Sequence, residues 1–203
     1  LIGGMSGSLM VGISNFVRQQ LGADIYIMPT NRTLPVTYAD NLTSIDGVKT
    51  VTYMSFQPTK MLNNNTGEWR TSFLAGVEAE TFSKVWHVGT LNSTYSVDET
   101  FTKLSTSNTS MIMAYGLAGK LNVTVGENVS TLVGSGKVQN FTVIATFYGS
   151  EYISVGPISE NSMALIGDKA LWEHFPSTSN ASRSANLFLA KVVDGADPSV
   201  VAD

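Results

Sequence analysis

Apolar positions change their spacing several times along this chain, and each change predicts an element. Residues 1–17 carry no charge, and Leu9, Ile13, Phe16 and Val17 fall on one face at helical spacing. Arg18, Gln19 and Gln20 end that run. Gly22 breaks the helical pattern, and Ala23, Ile25 and Ile27 then alternate with Asp24, Tyr26 and Met28 as a strand that Pro29 stops. Residues 15–29 therefore read as a helix handing over to a strand at a polar boundary. After a loop with Pro35, Asp40 or Asn41 can cap one helical turn through Leu42 and Ile45, which Gly47 ends. Residues 48–61 and 69–77 predict a hairpin across the turn-forming Asn63-Asn64-Asn65-Thr66-Gly67, and residues 78–86 a short helix with Phe82 and Val85 inward.

The middle third changes character. Residues 87–110 are rich in Thr and Ser with little period, and predict a surface excursion with a short strand or two. Residues 111–115 are an apolar run of strand length, Gly116 opens a brief helix through Leu117 and Leu121, and Val123, Val125, Val129, Thr131 and Val133 mark a β-rich segment. Gly134-Ser135-Gly136 turns the chain, and Phe141, Val143, Ala145 and Phe147 alternate against Asn140, Thr142, Ile144 and Thr146. Beyond a loop at 151–159, residues 163–166 form a short strand. Asp168 is placed to cap a helix through Ala170, Leu171, Trp172 and Phe175, which Pro176 stops. Residues 187–193 are the last strand, and Asp197 with Pro198 starts a helix by the N-cap and N1-proline rule.

Composition narrows the class. At 43% hydrophobic and 14% charged, the chain can bury a core yet shows a Ser/Thr/Asn-rich exterior rather than the charged surface of an intracellular enzyme. A net charge of -4, with no Lys or Arg cluster, argues against nucleic acid as a partner. Cysteine is absent, which excludes a disulfide framework, a thiolate zinc site and a cysteine nucleophile. N-x-S/T triplets begin at Asn31, Asn41, Asn64, Asn92, Asn108, Asn122, Asn128, Asn140 and Asn180, where chance would supply roughly three. These asparagines are glycosylation candidates on an extracytoplasmic surface. Starting at Leu1 without a basic n-region, the chain reads as a fragment rather than a precursor with its signal peptide. Its uncharged lead-in is too short and too rich in Gly and Ser for a complete membrane span but suits the outer end of one, with Gly3/Gly7 and Gly4/Ser8 at small-xxx-small spacing.

No catalytic, cofactor or metal residue is assigned. His87 and His174 sit in unrelated segments without a second ligand three or four residues away. There is no G-x-S-x-G elbow, and Gly116-Leu117-Ala118-Gly119-Lys120 and Gly134-Ser135-Gly136-Lys137 lack both the Walker spacing and the Ser/Thr after Gly-Lys. Glu78/Glu80 and Asp98/Glu99 read as solvated edges, and Trp69, Trp86 and Trp172 as core or lobe-interface residues. An extracellular hydrolase therefore has no nucleophile–base signature to rest on.

Seven short stretches, in order, carry a resemblance. Leu21-Gly22-Ala23-Asp24-Ile25, residues 42–48 (LTSIDGV), 74–82 (LAGVEAETF), 112–121 (IMAYGLAGKL), 125–129 (VGENV), 141–145 (FTVIA) and 194–197 (DGAD) follow one another as in a known family. The chain resembles the MacB-like periplasmic core domain of ABC transporter permeases of the MacB/FtsX/LolC–LolE type, inserted between the first and second membrane helices. Asp46 stands where that family usually has proline. The resemblance implies an α+β fold: a porter-like α/β lobe built from both chain ends (21–80 and 158–203), an inserted small β-rich lobe (81–157), and a membrane-proximal stalk helix (1–20) in front. It also implies a non-enzymatic membrane protein on the extracytoplasmic face of the cell membrane. Its partners would be the permease's own membrane helices, a separate ABC ATPase subunit, and a substrate or protein outside the membrane. A projecting lead-in helix with an uncovered apolar face further predicts a homodimer through that helix. The rival class is a free-standing glycosylated surface protein, such as an adhesin or cell-wall component.

Overall fold

The computed structural model describes residues 9–12, 23–29, 33–85, 90–134, 136–148, 162–176 and 183–202. Strand β1 (Leu9–Gly12) pairs antiparallel with β2 (Ile25–Pro29), Leu9 opposite Pro29 and Gly12 opposite Tyr26. The expected membrane-proximal helix is thus a strand over Leu9–Gly12. A glycine inside a helix costs about 1 kcal/mol, whereas the open edge of β2 offers this segment partners for its backbone groups. The remainder of that expectation, at 1–8 and 13–20, lies outside the described residues.

Beyond β2, whose Ile25 and Ile27 are buried as the alternation requires, come the short β3 (Leu34–Pro35) and α1 (Tyr38–Thr43). Helix α1 starts earlier than expected. Thr37 holds the N-cap position without a side-chain bond, so Asp40 lies in the first turn, where its charge meets the positive helix end, and Asn41 lies inside the helix. Strands β4 (Val48–Leu62) and β5 (Trp69–Val77) form the predicted hairpin, antiparallel from Met54/Val77 to Leu62/Trp69. Asn63 organises its turn: the buried carboxamide oxygen accepts from the Asn65 and Thr66 amides at 2.9 and 3.0 Å, and Nδ2 donates to the Lys120 carbonyl at 2.6 Å. Helix α2 (Ala79–Val85) turns Phe82 and Val85 inward, as expected; Trp86 and His87 lie outside the described residues.

The expected surface excursion holds a strand, β6 (Thr90–Ser93), and a full helix, α3 (Val97–Thr106). A capping box starts the helix: Ser96 Oγ accepts from the Glu99 amide, and Glu99 Oε2 accepts from the Ser96 amide. Phe101 and Leu104 give it a buried face. Strands β7 (Ser110–Ala114), β8 (Asn128–Leu132), β9 (Val138–Tyr148) and β10 (Met163–Gly167), with helices α4 (Tyr115–Leu121) and α5 (Asp168–His174), match the predicted order. Gly167, not Asp168, holds the α5 N-cap position, which leaves the Asp168 carboxylate free to accept bonds from elsewhere. The short β11 (Ser184–Ala185) pairs β3, and β12 (Leu187–Val192) leads to α6 (Pro198–Ala202), where Asp197 caps the Ser199 amide at 2.9 Å.

One sheet runs β1-β2-β12-β4-β5-β10-β7-β9-β6, and β8 bridges β9 back to β4. The ladders β4-β5-β10-β7-β9-β8 therefore close a circuit, while β12, β2 and β1 extend from β4 as an open strip. The circuit draws strands from both expected lobes, so no break in hydrogen bonding separates 21–80 and 158–203 from 81–157. Strands β7 and β10 are buried at every residue, which is why their sequence runs apolar without alternating. Helix α5 lies so close on β5 that a Cβ at Gly76 would stand 2.6 Å from Leu171 Cδ2, and α3 so close to the end of β10 that one at Gly167 would stand 2.5 Å from the Leu104 carbonyl oxygen. Two cores result. The larger lies with the circuit and its helices; the smaller joins Ile25, Ile27, Leu42, Val51, Tyr53, Phe188 and Val192 from the two chain ends.

Candidate functional site

Alternating apolar residues make β2 and β12 matching ribbons, with Ile25 opposite Ala190 and Ile27 opposite Phe188. One step further, the Asp24 amide donates to the Ala190 carbonyl at 2.9 Å, and Asp24 Oδ2 accepts from the Val192 amide at 3.0 Å. This second bond falls where β12 shifts register against β4, between Lys191 and Val192. A bulge takes a backbone donor out of its ladder, and the Asp24 carboxylate serves as acceptor there. Residues 23–24 and 192–193 thus leave the sheet side by side. The Val193 amide then donates to the Gly47 carbonyl at 2.8 Å. Gly47 has φ +88°, and a Cβ there would stand 2.8 Å from Val201 Cγ2 of α6. Lys49 and Asp194 add an exposed ion pair at 3.2 Å.

A second cluster lies at the same end of the sheet. Parallel β5 and β10 end in register, Val77 opposite Gly167, and an acid follows each, Glu78 and Asp168. Tyr53 of β4 donates its hydroxyl to Asp168 Oδ2 at 2.7 Å. Burial, the bond to Asp168 and the negative charges of Asp168 and Glu78 together push the Tyr53 hydroxyl far above the usual phenol range, with Arg183 opposing them. Glu78 Oε2 accepts from Thr81 Oγ1 at 2.6 Å, and the Thr52 and Thr81 hydroxyls lie 3.0 Å apart. Tyr53 belongs to the smaller core, and Asp168 begins the helix whose Ala170 and Leu171 belong to the larger one. The bond ties the smaller core to the larger.

The other singled-out residues are scattered. His174 stands at the far end of α5 from Asp168, with Nε2 2.9 Å from the Asn108 carbonyl and its ring edge-on to Phe141 at 5.2 Å. Trp172 packs against the larger core, and Trp69 is exposed beside the hairpin turn. Glu80, Asp98 and Glu99 are exposed; the Ser96 amide and hydroxyl hold the Glu99 carboxyl below its ordinary value. Among the described residues no acidic or histidine cluster could hold a metal, and no helix is long and apolar enough to cross a membrane. Asn41, Asn64, Asn92, Asn108, Asn122, Asn128 and Asn140 are all exposed, while Val123, Val129, Phe141 and Val143 point inward as the expected register requires. Asn31 and Asn180 lie outside the described residues. Asn92 and Asn122 share an open cleft of about 340 Å³ with Tyr115, Glu127 and Thr146. Sequence reading missed the Tyr53–Asp168 tie and the Asp24 contact. The signal for the first was present, since a tyrosine inside an apolar strand needs a partner for its hydroxyl.

No protein-family model matches the chain, and no curated protein matches it in sequence. Solved structures match its fold. The extracellular domain of the noncanonic ABC-type transporter YknZ from Gram-positive bacteria aligns over 96% of this chain and 87% of its own, at 12% identity and TM-score 0.55. The periplasmic region of MacB from Actinobacillus actinomycetemcomitans aligns over 97% and 79%, at 11% identity and TM-score 0.56. A domain assigned to a permease protein from Porphyromonas gingivalis aligns over 83% and 73%, at 15% identity and TM-score 0.55. The fold is therefore one found in extracellular and periplasmic domains of ABC-type transporter permeases.

Proposed function

We propose that this chain is the extracytoplasmic domain of an ABC transporter permease, and that it passes ATPase-driven motion of the membrane helices to a substrate or partner outside the membrane. The observation that carries this reading is a fold shared, over nearly the whole chain, with the extracellular and periplasmic domains of such transporters. Residues 1–20 would supply the membrane-proximal segment. With Leu9–Gly12 paired to β2, a homodimer through this segment would rest on its other residues. ATP hydrolysis belongs to a separate ABC ATPase subunit, and the domain itself has a mechanical rather than a catalytic role. Exposure of the seven described acceptor asparagines is what glycan attachment requires, and we read them as glycosylated on an extracytoplasmic face.

The test uses the whole polypeptide purified from membranes in detergent. It should co-purify with an ABC ATPase and hydrolyse ATP. In a background with any cysteine outside these 203 residues replaced, an Ile25→Cys/Ala190→Cys pair gives one defined crosslink between opposed residues of β2 and β12. Oxidation should uncouple transport from ATP hydrolysis, and reduction should restore it. Recovery of the polypeptide in the water-soluble fraction with no ATPase would contradict the proposal.

A further inference from the structure

Two acceptor triplets face each other across the β8–β9 hairpin. Asn128-Val129-Ser130 and Asn140-Phe141-Thr142 lie in antiparallel register, with Asn128 opposite Thr142 and Ser130 opposite Asn140. Each hydroxyl bonds the other triplet's asparagine: Thr142 Oγ1 donates to Asn128 Oδ1 at 2.8 Å, and Ser130 Oγ donates to Asn140 Oδ1 at 2.9 Å. The residues between them, Val129 and Phe141, are wholly buried. On its far side β8 is held by Lys60 and Met61 of β4, and β9 by β7. Neither triplet can leave the sheet without opening the closed circuit and exposing both core side chains.

N-glycosylation requires the hydroxyl two residues after the asparagine, so the transferring enzyme must reach that group as well as Nδ2. In the folded hairpin both hydroxyls are engaged by the opposite triplet. We propose that Asn128 and Asn140 accept glycans only before the β8–β9 hairpin closes, after which the sheet holds the two glycans side by side on one exposed face. The inference rests on the reading that the triplets are used. In the transfer, Nδ2 forms a bond to the anomeric carbon of a sugar carried on a lipid diphosphate. The bond from that carbon to the diphosphate oxygen breaks, the diphosphate leaves with the electron pair, and one amide proton passes to a base of the enzyme. Asn64 is the internal control, because Asn64, Asn65 and Thr66 are all exposed in the β4–β5 turn.

The experiment compares two acceptors, the folded unglycosylated domain and a synthetic peptide of residues 126–144. Each is incubated with an oligosaccharyltransferase and a lipid-linked oligosaccharide, and site occupancy is read by glycopeptide mass spectrometry. The peptide should be modified at both asparagines. The folded domain should be modified at Asn64 and be slower at Asn128 and Asn140 than the peptide by roughly tenfold or more, because reaction is confined to the small open population. Protein purified from its natural membrane should carry glycans at Asn128 and Asn140. Equal rates at these two sites in the folded domain and the peptide would overturn the order of events. Natural protein glycosylated at Asn64 but bare at Asn128 and Asn140 would overturn the assignment of these two sites alone, whereas natural protein bare at every acceptor would overturn the glycosylation reading itself.

Discussion

The closed circuit and the open strip use one sheet in two ways. In the circuit β4-β5-β10-β7-β9-β8 each strand has at least two neighbours, and its core side chains are mostly sealed: Leu104, Met111, Val129, Phe141 and Leu165 are all at 0% exposure. Among the described residues the strip β12-β2-β1 ends on an edge at β1, and the core beneath it is the smaller of the two, with Phe188 and Ala185 sealed at 0% exposure. A smaller core and an open edge place a region toward the low end of local stability, from which moving elements are drawn. The difference teaches where motion would enter. Strands β1 and β12, the first and last of the described sheet, both lie in the strip, and under the proposed function the circuit behind it would move as a block.

Core truncation gives the sharpest contrast. Phe141→Ala in the circuit should cost about 3–5 kcal/mol, while Ile27→Val in the strip should cost about 1 kcal/mol, both read from urea midpoints. Near-equal costs after scaling for the atoms removed would erase the distinction. Next comes overpacking. Gly76→Ala sets a methyl against Leu171 and should destabilise by about 1–3 kcal/mol, and a neutral result would show that α5 is not seated firmly on the circuit.

The tie between the two cores comes third. Tyr53→Phe leaves Asp168 Oδ2 without its donor and should cost about 1–2 kcal/mol at neutral pH. Its pH signature is separate. Below the ordinary phenol value of 10.0 the hydroxyl is protonated in both states, so its contribution is fully present. Above that value the unfolded chain loses the proton while the folded phenol, its pKa raised, keeps it, so stability falls as pH rises. The Phe variant should lose that part of the alkaline decline. A decline of equal slope in both proteins would separate Tyr53 from it. The smallest effect belongs to Lys49→Ala at the exposed Asp194 pair, below about 0.5 kcal/mol and fading with salt.

Local signals made part of this fold legible. Asn63 to Gly67 announced the β4–β5 hairpin because turn chemistry is local, and Ile25/Ile27 against Asp24/Tyr26 announced β2 because one face is buried. Helix α3 was hidden by its Thr/Ser composition, although Ser96 and Glu99 spelled a capping box and Phe101 with Leu104 supplied the helical spacing. In β9, Ile144 and Thr146 were read as outward, yet they are buried at 8% and 5% because the strand is covered on both faces there. The closure of β8 onto β4 and the tie from Tyr53 to Asp168 join residues 73 and 115 positions apart, and no periodicity reports such contacts. The acceptor asparagines could be read from their triplets, whereas the pairing of Asn128 with Thr142 required the register.

The most direct test is hydrogen exchange on the intact transporter in detergent, with and without a non-hydrolysable ATP analogue. Amides of β2 and β12, above all Asp24 and Val192, should change protection when nucleotide binds, while those of β7 and β9 stay protected throughout. Unchanged protection at Asp24 and Val192, or a response confined to β7 and β9, would contradict transmission through the joined β2 and β12 strands.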